Sequence, residues 1–217
     1  LREAYRSGDP ASYCTGIPIH MDATCSGIQH FVALLRERGV QVHLFHELLD
    51  QVLDLPEARE YILARSLDER FFGPNGIGAM REAFESMDTV TLRRHLIGGI
   101  TKRELRERVR PPRSVWFHTL GEDEFALTPL PNHLFTRDTS SWIYGGVAVN
   151  AMRKKARRRE TIHYEAVYRW HPLFAEGGFE VWDPGVDWAP ATIEGGDVMP
   201  VGKGTVLIGM SERTSRQ

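Results

Sequence analysis

Apolar positions fall at helical spacing across "ATCSGIQHFVALLRER" (23–38), where Ile28, Phe31, Leu34 and Leu35 share one face. Gly39 follows at the place of a helix C′ glycine. "VQVHLF" (40–45) alternates and predicts a strand. Helix, glycine and strand together read as half of an α/β repeat. The pattern over 46–110 is helical throughout. Pro56 suits a first helical turn before "EAREYILARSL", and "AMREAFESM" (79–87) forms a second amphipathic segment. "TLRRHLIGG" (91–99) ends in paired glycines, and "TKRELRERV" opens with Thr101 followed three residues later by Glu104, a capping box. After "RPPRS" (110–114) the pattern turns to short strands: "SVWFHTL", "EFALTPL", "SWIYGGVAVN" and "FEVWD". One helix, "ETIHYEAVYRWH" (160–171), interrupts them. "GDVMPVGKGTVLIGM" (196–210) predicts a hairpin turning at Gly202-Lys203-Gly204.

Composition narrows the class. The 217 residues are 41% hydrophobic and 26% charged, as in an ordinary globular protein. A net charge of −2 supplies no basic field for nucleic acid. No apolar run approaches the roughly 20 residues a membrane span needs. Two cysteines, Cys14 and Cys25, imply no disulfide framework, so a reducing, cytoplasmic setting is expected. The opening "LREAYRSGDP" has neither methionine nor an apolar signal core and reads as an internal cut.

The candidate chemistry begins at "IEGGDV" (193–198). Two carboxylates this close repel if both are buried and charged, and the glycines let another group approach. The stretch reads as a holder of negative charge against a cation. Three more polar clusters adjoin predicted strand ends: "PNHLFTRD" (131–138), "ARRRE" (156–160) and "SERTSRQ" (211–217). Each alone fits a turn or a solvated face. Four of them, rich in Asp, Glu, Arg and Asn, fit a site better.

In this order and spacing, "PNHLFTRD", "ARRRETIHYEAVYRWHP", "EGGDV" and "GMSERTSRQ" resemble arginine deiminase, of the guanidino-group-modifying superfamily. "RHLIGGITKREL" and the helices before it resemble that family's helical insertion. The resemblance implies an α/β fold, a partial ββαβ propeller of the pentein type with an inserted helical bundle. Residues 31–45 and 111–217 would form the propeller part, and 46–110 the insertion. It implies hydrolysis of L-arginine to L-citrulline and ammonia without metal or organic cofactor. A guanidinium is a planar fork of donors that carboxylates accept bidentately. By resemblance Asp138 grips that head group and Glu194 stands beside it, Asn132 and Phe135 line the pocket, and Arg157 and Arg213 bind the α-carboxylate. Asp197 is left between a role in the site and a brace for the glycine turn, and Glu160 with Arg213 could form a structural ion pair. Thr139 stands where the family has proline, so a looser turn is expected. L-arginine is the expected partner, with no membrane contact; an oligomer stays open for a complete enzyme.

The family's nucleophilic cysteine and catalytic histidine match no residue here, so the chain is expected to be truncated and inactive alone. Residues 1–30 read differently. "DATCSGIQH" within them resembles a palm segment of single-subunit, phage-type RNA polymerases, with Asp22 at a magnesium-binding place. Two alternatives therefore stand beside the deiminase reading: a polymerase fragment, in which "TKRELRERVRPPR" meets phosphate, and a guanidino-binding module without catalysis.

Overall fold

The computed structural model describes residues 21–188 and 190–215. Elements run α1 (Met21–Glu37), α2 (Phe45–Leu53), α3 (Pro56–Ser66), α4 (Glu69–Phe72), α5 (Pro74–Glu85), α6 (Thr89–Gly98), β1 (Ile100–Thr101), α7 (Lys102–Arg108), α8 (Val115–Thr119) and β2 (Phe125–Leu127). They continue with α9 (Thr136–Thr139), β3 (Ser140–Ile143), β4 (Gly146–Val149), α10 (Arg158–Trp170), α11 (Pro172–Ala175), β5 (Glu180–Pro184), β6 (Val198–Gly202) and β7 (Thr205–Ile208). The architecture is mixed α/β with three small sheets, and the chain divides into two compact units. Among the described residues no helix is long and apolar enough to cross a membrane.

Residues up to 54 and 67–129 form the first unit. Its core is helical: Leu49, Val52, Phe72, Met80, Phe84, Leu92 and Leu96 are buried. The Thr101–Glu104 capping box is present in both directions and starts α7. Two predicted strands are corrected here. "VQVHLF" is irregular until Phe45 opens α2, and 115–119 is the short helix α8, with Phe117 buried among helices instead of paired in a sheet. Alternation over six or seven residues did not find a neighbouring strand, and packing decided instead. The apolar stripe of α1 also stays open, with Ile28 and Phe31 exposed.

Residues 55–66 and 130–217 form the second unit. Helix α3 therefore packs on α10, apart from the helices on either side of it in sequence. The segment 141–150, expected as one strand, is a tight hairpin: β3 and β4 pair antiparallel and turn at Tyr144-Gly145. After α10 the chain returns so that β5 lies parallel to β4. This is one ββαβ unit, with the crossover helix that a parallel pair requires. The final hairpin, β6 with β7, forms where predicted. No ring of such units is present among the described residues.

Candidate functional site

The four polar clusters converge on Arg157, a residue only 3% exposed in the second unit. A 3₁₀ turn over 155–157 delivers it directly into the start of α10. Its Nε donates to Glu160 Oε2 at 2.9 Å, and Nη2 lies 2.9 Å from the same oxygen. Its Nη1 donates to Asp138 Oδ2 at 2.9 Å and reaches Glu194 Oε2 at 3.5 Å. Burial pulls the Arg157 guanidinium down, but the bonds and charges of Glu160 and Asp138 outweigh it and hold its pKa above the ordinary value. Burial raises the Glu160 carboxyl even against the hydrogen bond from Arg157.

Each loop that carries a partner is itself tied down. Glu160 Oε1 accepts the backbone N–H of Asn132 at 3.0 Å, which anchors the loop leading into α9. Asn150, fully buried, donates to the Asp138 carbonyl at 2.8 Å and to Ser141 Oγ at 3.2 Å. Thr139 is buried and its hydroxyl donates to the Thr136 carbonyl, so the turn expected to be loose is held by that hydroxyl instead of a proline ring.

The glycines of "IEGGDV" have unequal parts. A Cβ on Gly195 would sit 1.8 Å from the Arg137 carbonyl oxygen and 2.2 Å from Ser141 Oγ. Only glycine lets the 193–197 loop lie that close to the Asp138 loop. A Cβ on Gly196 would meet Asp138 Oδ1 at an ordinary 3.5 Å. Asp197 Oδ2 accepts the hydroxyls of Thr214 and Ser211 at 2.5 and 2.7 Å, and these bonds lower its pKa. Asp197 therefore braces the 211–214 loop. Glu194 receives the other product of that brace: its N–H donates to Thr214 Oγ1, and Arg213 Nη1 donates to its Oε2 at 3.0 Å. Arg213 thus pairs with Glu194, and Glu160 with Arg157.

Of the expected site residues, Asp138, Glu194, Arg157 and Arg213 share one hydrogen-bonded cluster. Asn132 joins it through its backbone, and Phe135, ahead of α9, is 56% exposed. Glu194 is buried, and its Oε1 has no hydrogen-bond partner among the described residues. Arg137 turns to the Val198 carbonyl. A buried carboxylate oxygen without a donor among the described residues is a place for an incoming donor group.

Sequence reasoning missed Asn150, whose position on a predicted strand gave no sign of its inward amide. It also missed a histidine pair. His133 Nε2 and His163 Nδ1 lie 2.9 Å apart, and desolvation lowers both rings, His133 to about 3.

The sequence matches the family model described as Arginine deiminase over residues 19–217. That span takes in the run from Asp22 to His30, so the expected junction at 31 gives way to a match starting at 19. The polymerase resemblance finds no support, and residues 1–20 of the segment that suggested it lie outside the described residues.

Proposed function

The chain belongs to the arginine deiminase family, and from that premise we propose that its second unit grips the guanidinium of L-arginine for hydrolysis to L-citrulline and ammonia. One observation carries the reading: Asp138 and Glu194 already meet on one guanidinium nitrogen, that of Arg157. Two acids held at that separation suit the forked donors of a second, incoming guanidinium. In this reading Glu194 Oε1 and the free edge of Asp138 accept the substrate's N–H groups. Paired binding withdraws the head group from water and fixes its plane for attack at the central carbon.

Arg157, expected at the α-carboxylate, has Nε, Nη1 and Nη2 turned to carboxylates. Its proposed part is to hold Asp138 and Glu194 ionised and in register. Arg213, half exposed, is the proposed partner of the α-carboxylate, and Phe135 a wall of the entrance. The ββαβ unit is proposed as one blade of a pentein propeller.

The family's reaction uses a cysteine nucleophile. Cys14 and Cys25, the two cysteines of the sequence, both fall outside 55–66 and 130–217. This favours a second reading for the 217 residues by themselves: guanidino binding without turnover. A citrulline assay combined with L-arginine titration separates the two. Binding without citrulline supports the second, and binding with steady citrulline release supports the full reaction. Absence of arginine binding defeats both. Agmatine, which lacks the α-carboxylate, should bind more weakly than arginine to the unmodified chain but equally to the Arg213→Ala variant.

A further inference from the structure

Helix α10 has a second working face. Glu160 faces Arg157, and His163 and Tyr164 lie against His133. Glu165, Tyr168 and Arg169 lie on another face and line a cavity of about 490 Å³ within the second unit. We propose that this cavity binds a small organic ammonium ion, a primary amine on an apolar or aromatic body, with Asp183 as its anionic contact.

Two kinds of wall support this. The first is aromatic. Tyr168, Phe174 and Phe179 all line the space, with ring centroids 5.0 Å apart for Tyr168–Phe174 and 6.1 Å for Tyr168–Phe179. Aromatic rings attract ammonium ions by their quadrupoles and shelter an apolar body from water. The second wall is acidic. Asp183 is only 7% exposed, and Oδ1 accepts the Gly185 N–H at 2.9 Å. Glu165 is fully engaged, accepting Tyr61 Oη–H at 2.7 Å and Val186 N–H at 2.8 Å. Neither acid has a basic side chain bonded to it. Arg65, which also lines the cavity, is held by Asp187 in a two-point pair.

Gly185 keeps this wall in place. Its φ is +74°, and a Cβ there would fall 1.7 Å from Glu165 Oε1. Desolvation, with Glu165 adding repulsion, raises the Asp183 carboxyl to about 6. A bound cation would relieve that repulsion directly. Arg169 is exposed at the rim, stacked 4.6 Å over Trp170. It turns away ligands whose positive charge sits at the mouth, so an ammonium must pass inward to Asp183.

The probe is 2-phenylethylamine, titrated into the 217-residue chain and followed by ¹H–¹⁵N chemical shifts. Saturable binding in the millimolar range or tighter is expected, with the largest shifts within 165–187. The isosteric alcohol 2-phenylethanol should bind at least about tenfold more weakly, as should the amine to Asp183→Asn. Amine binding should be unchanged in the presence of excess L-arginine, so this site and the arginine site stand or fall separately. Shifts that do not saturate, that map elsewhere, or that are equal for amine and alcohol would overturn the assignment. The last two readouts use the unmodified chain and hold even if Asp183→Asn does not fold.

Discussion

Asp138 and Glu194 meet on a single nitrogen: Arg157 Nη1 lies 2.9 Å from Asp138 Oδ2 and 3.5 Å from Glu194 Oε2. The sequence separates these acids by three strands and two helices. One buried guanidinium joins them and makes the site and the stability of the second unit the same structure. Removing it exposes how much depends on it. Arg157→Ala leaves the Glu160 carboxylate, 0% exposed, bonded to the Asn132 N–H but without its arginine fork. Breaking one side of a buried ion cluster costs about 3–5 kcal/mol. Urea denaturation should show a loss of that size. Arg157→Lys should recover part of it, because the charge returns without the fork. A loss under about 1 kcal/mol for Arg157→Ala would mean the cluster does not hold the unit together.

The two adjacent glycines should respond oppositely to alanine. Gly195→Ala puts a methyl 1.8 Å from a backbone oxygen, so the loop bearing Glu194 must move. Stability should fall by more than about 2 kcal/mol, with arginine binding lost as well. Gly196→Ala meets ordinary contact at 3.5 Å and should stay within about 1 kcal/mol of the parent. Equal effects in thermal unfolding would contradict the close approach of the two loops.

His133 and His163 should stay neutral where a free histidine protonates, near about pH 6.5. Desolvation depresses both rings in the folded unit, His133 to about 3. Below pH 6.5 the unfolded chain takes up protons that the folded pair refuses. The pair therefore withdraws stability as pH falls from about 6.5 toward 3, and has no such effect above that window. Ring proton shifts followed by NMR should be flat for these two histidines between pH 8 and 5. A midpoint near 6.5 for either would contradict their burial.

The terminal hairpin presents apolar side chains to solvent. Met199, Val201, Leu207 and Ile208 are each at least 50% exposed on β6 and β7. Such a surface associates. Sedimentation should show concentration-dependent self-association, and a Val201→Lys, Leu207→Glu double variant should reduce it. A monodisperse monomer at high concentration would contradict the exposure.

Much of this was legible in the residues. The helices of 46–110, the capping box at Thr101 and the turn at Lys203-Gly204 follow from local chemistry, which periodicity and turn residues report. The strands expected at 40–45 and 114–120 failed because six or seven alternating residues do not decide between a strand and a packed helix turn. In the site, residue types and order pointed to Asp138 and Glu194 and to a cation between them. That the cation in place is Arg157 was not legible. It depends on a turn at 155–157 and on the Asn132 backbone fixing Glu160, both tertiary facts. Asn150 gave no signal at all, since its value lies in the Asp138 carbonyl that it holds.

The most direct test is calorimetric titration of L-arginine into the chain and into Asp138→Asn and Glu194→Gln, with L-citrulline as the uncharged control. Each lost charge-assisted bond is worth about 1.5–3 kcal/mol, so each variant should bind arginine roughly 10- to 150-fold more weakly, and citrulline should bind weakly throughout. Arginine affinity unchanged in both variants, or equal to that of citrulline in the parent chain, would contradict the proposal that these two acids grip a guanidinium.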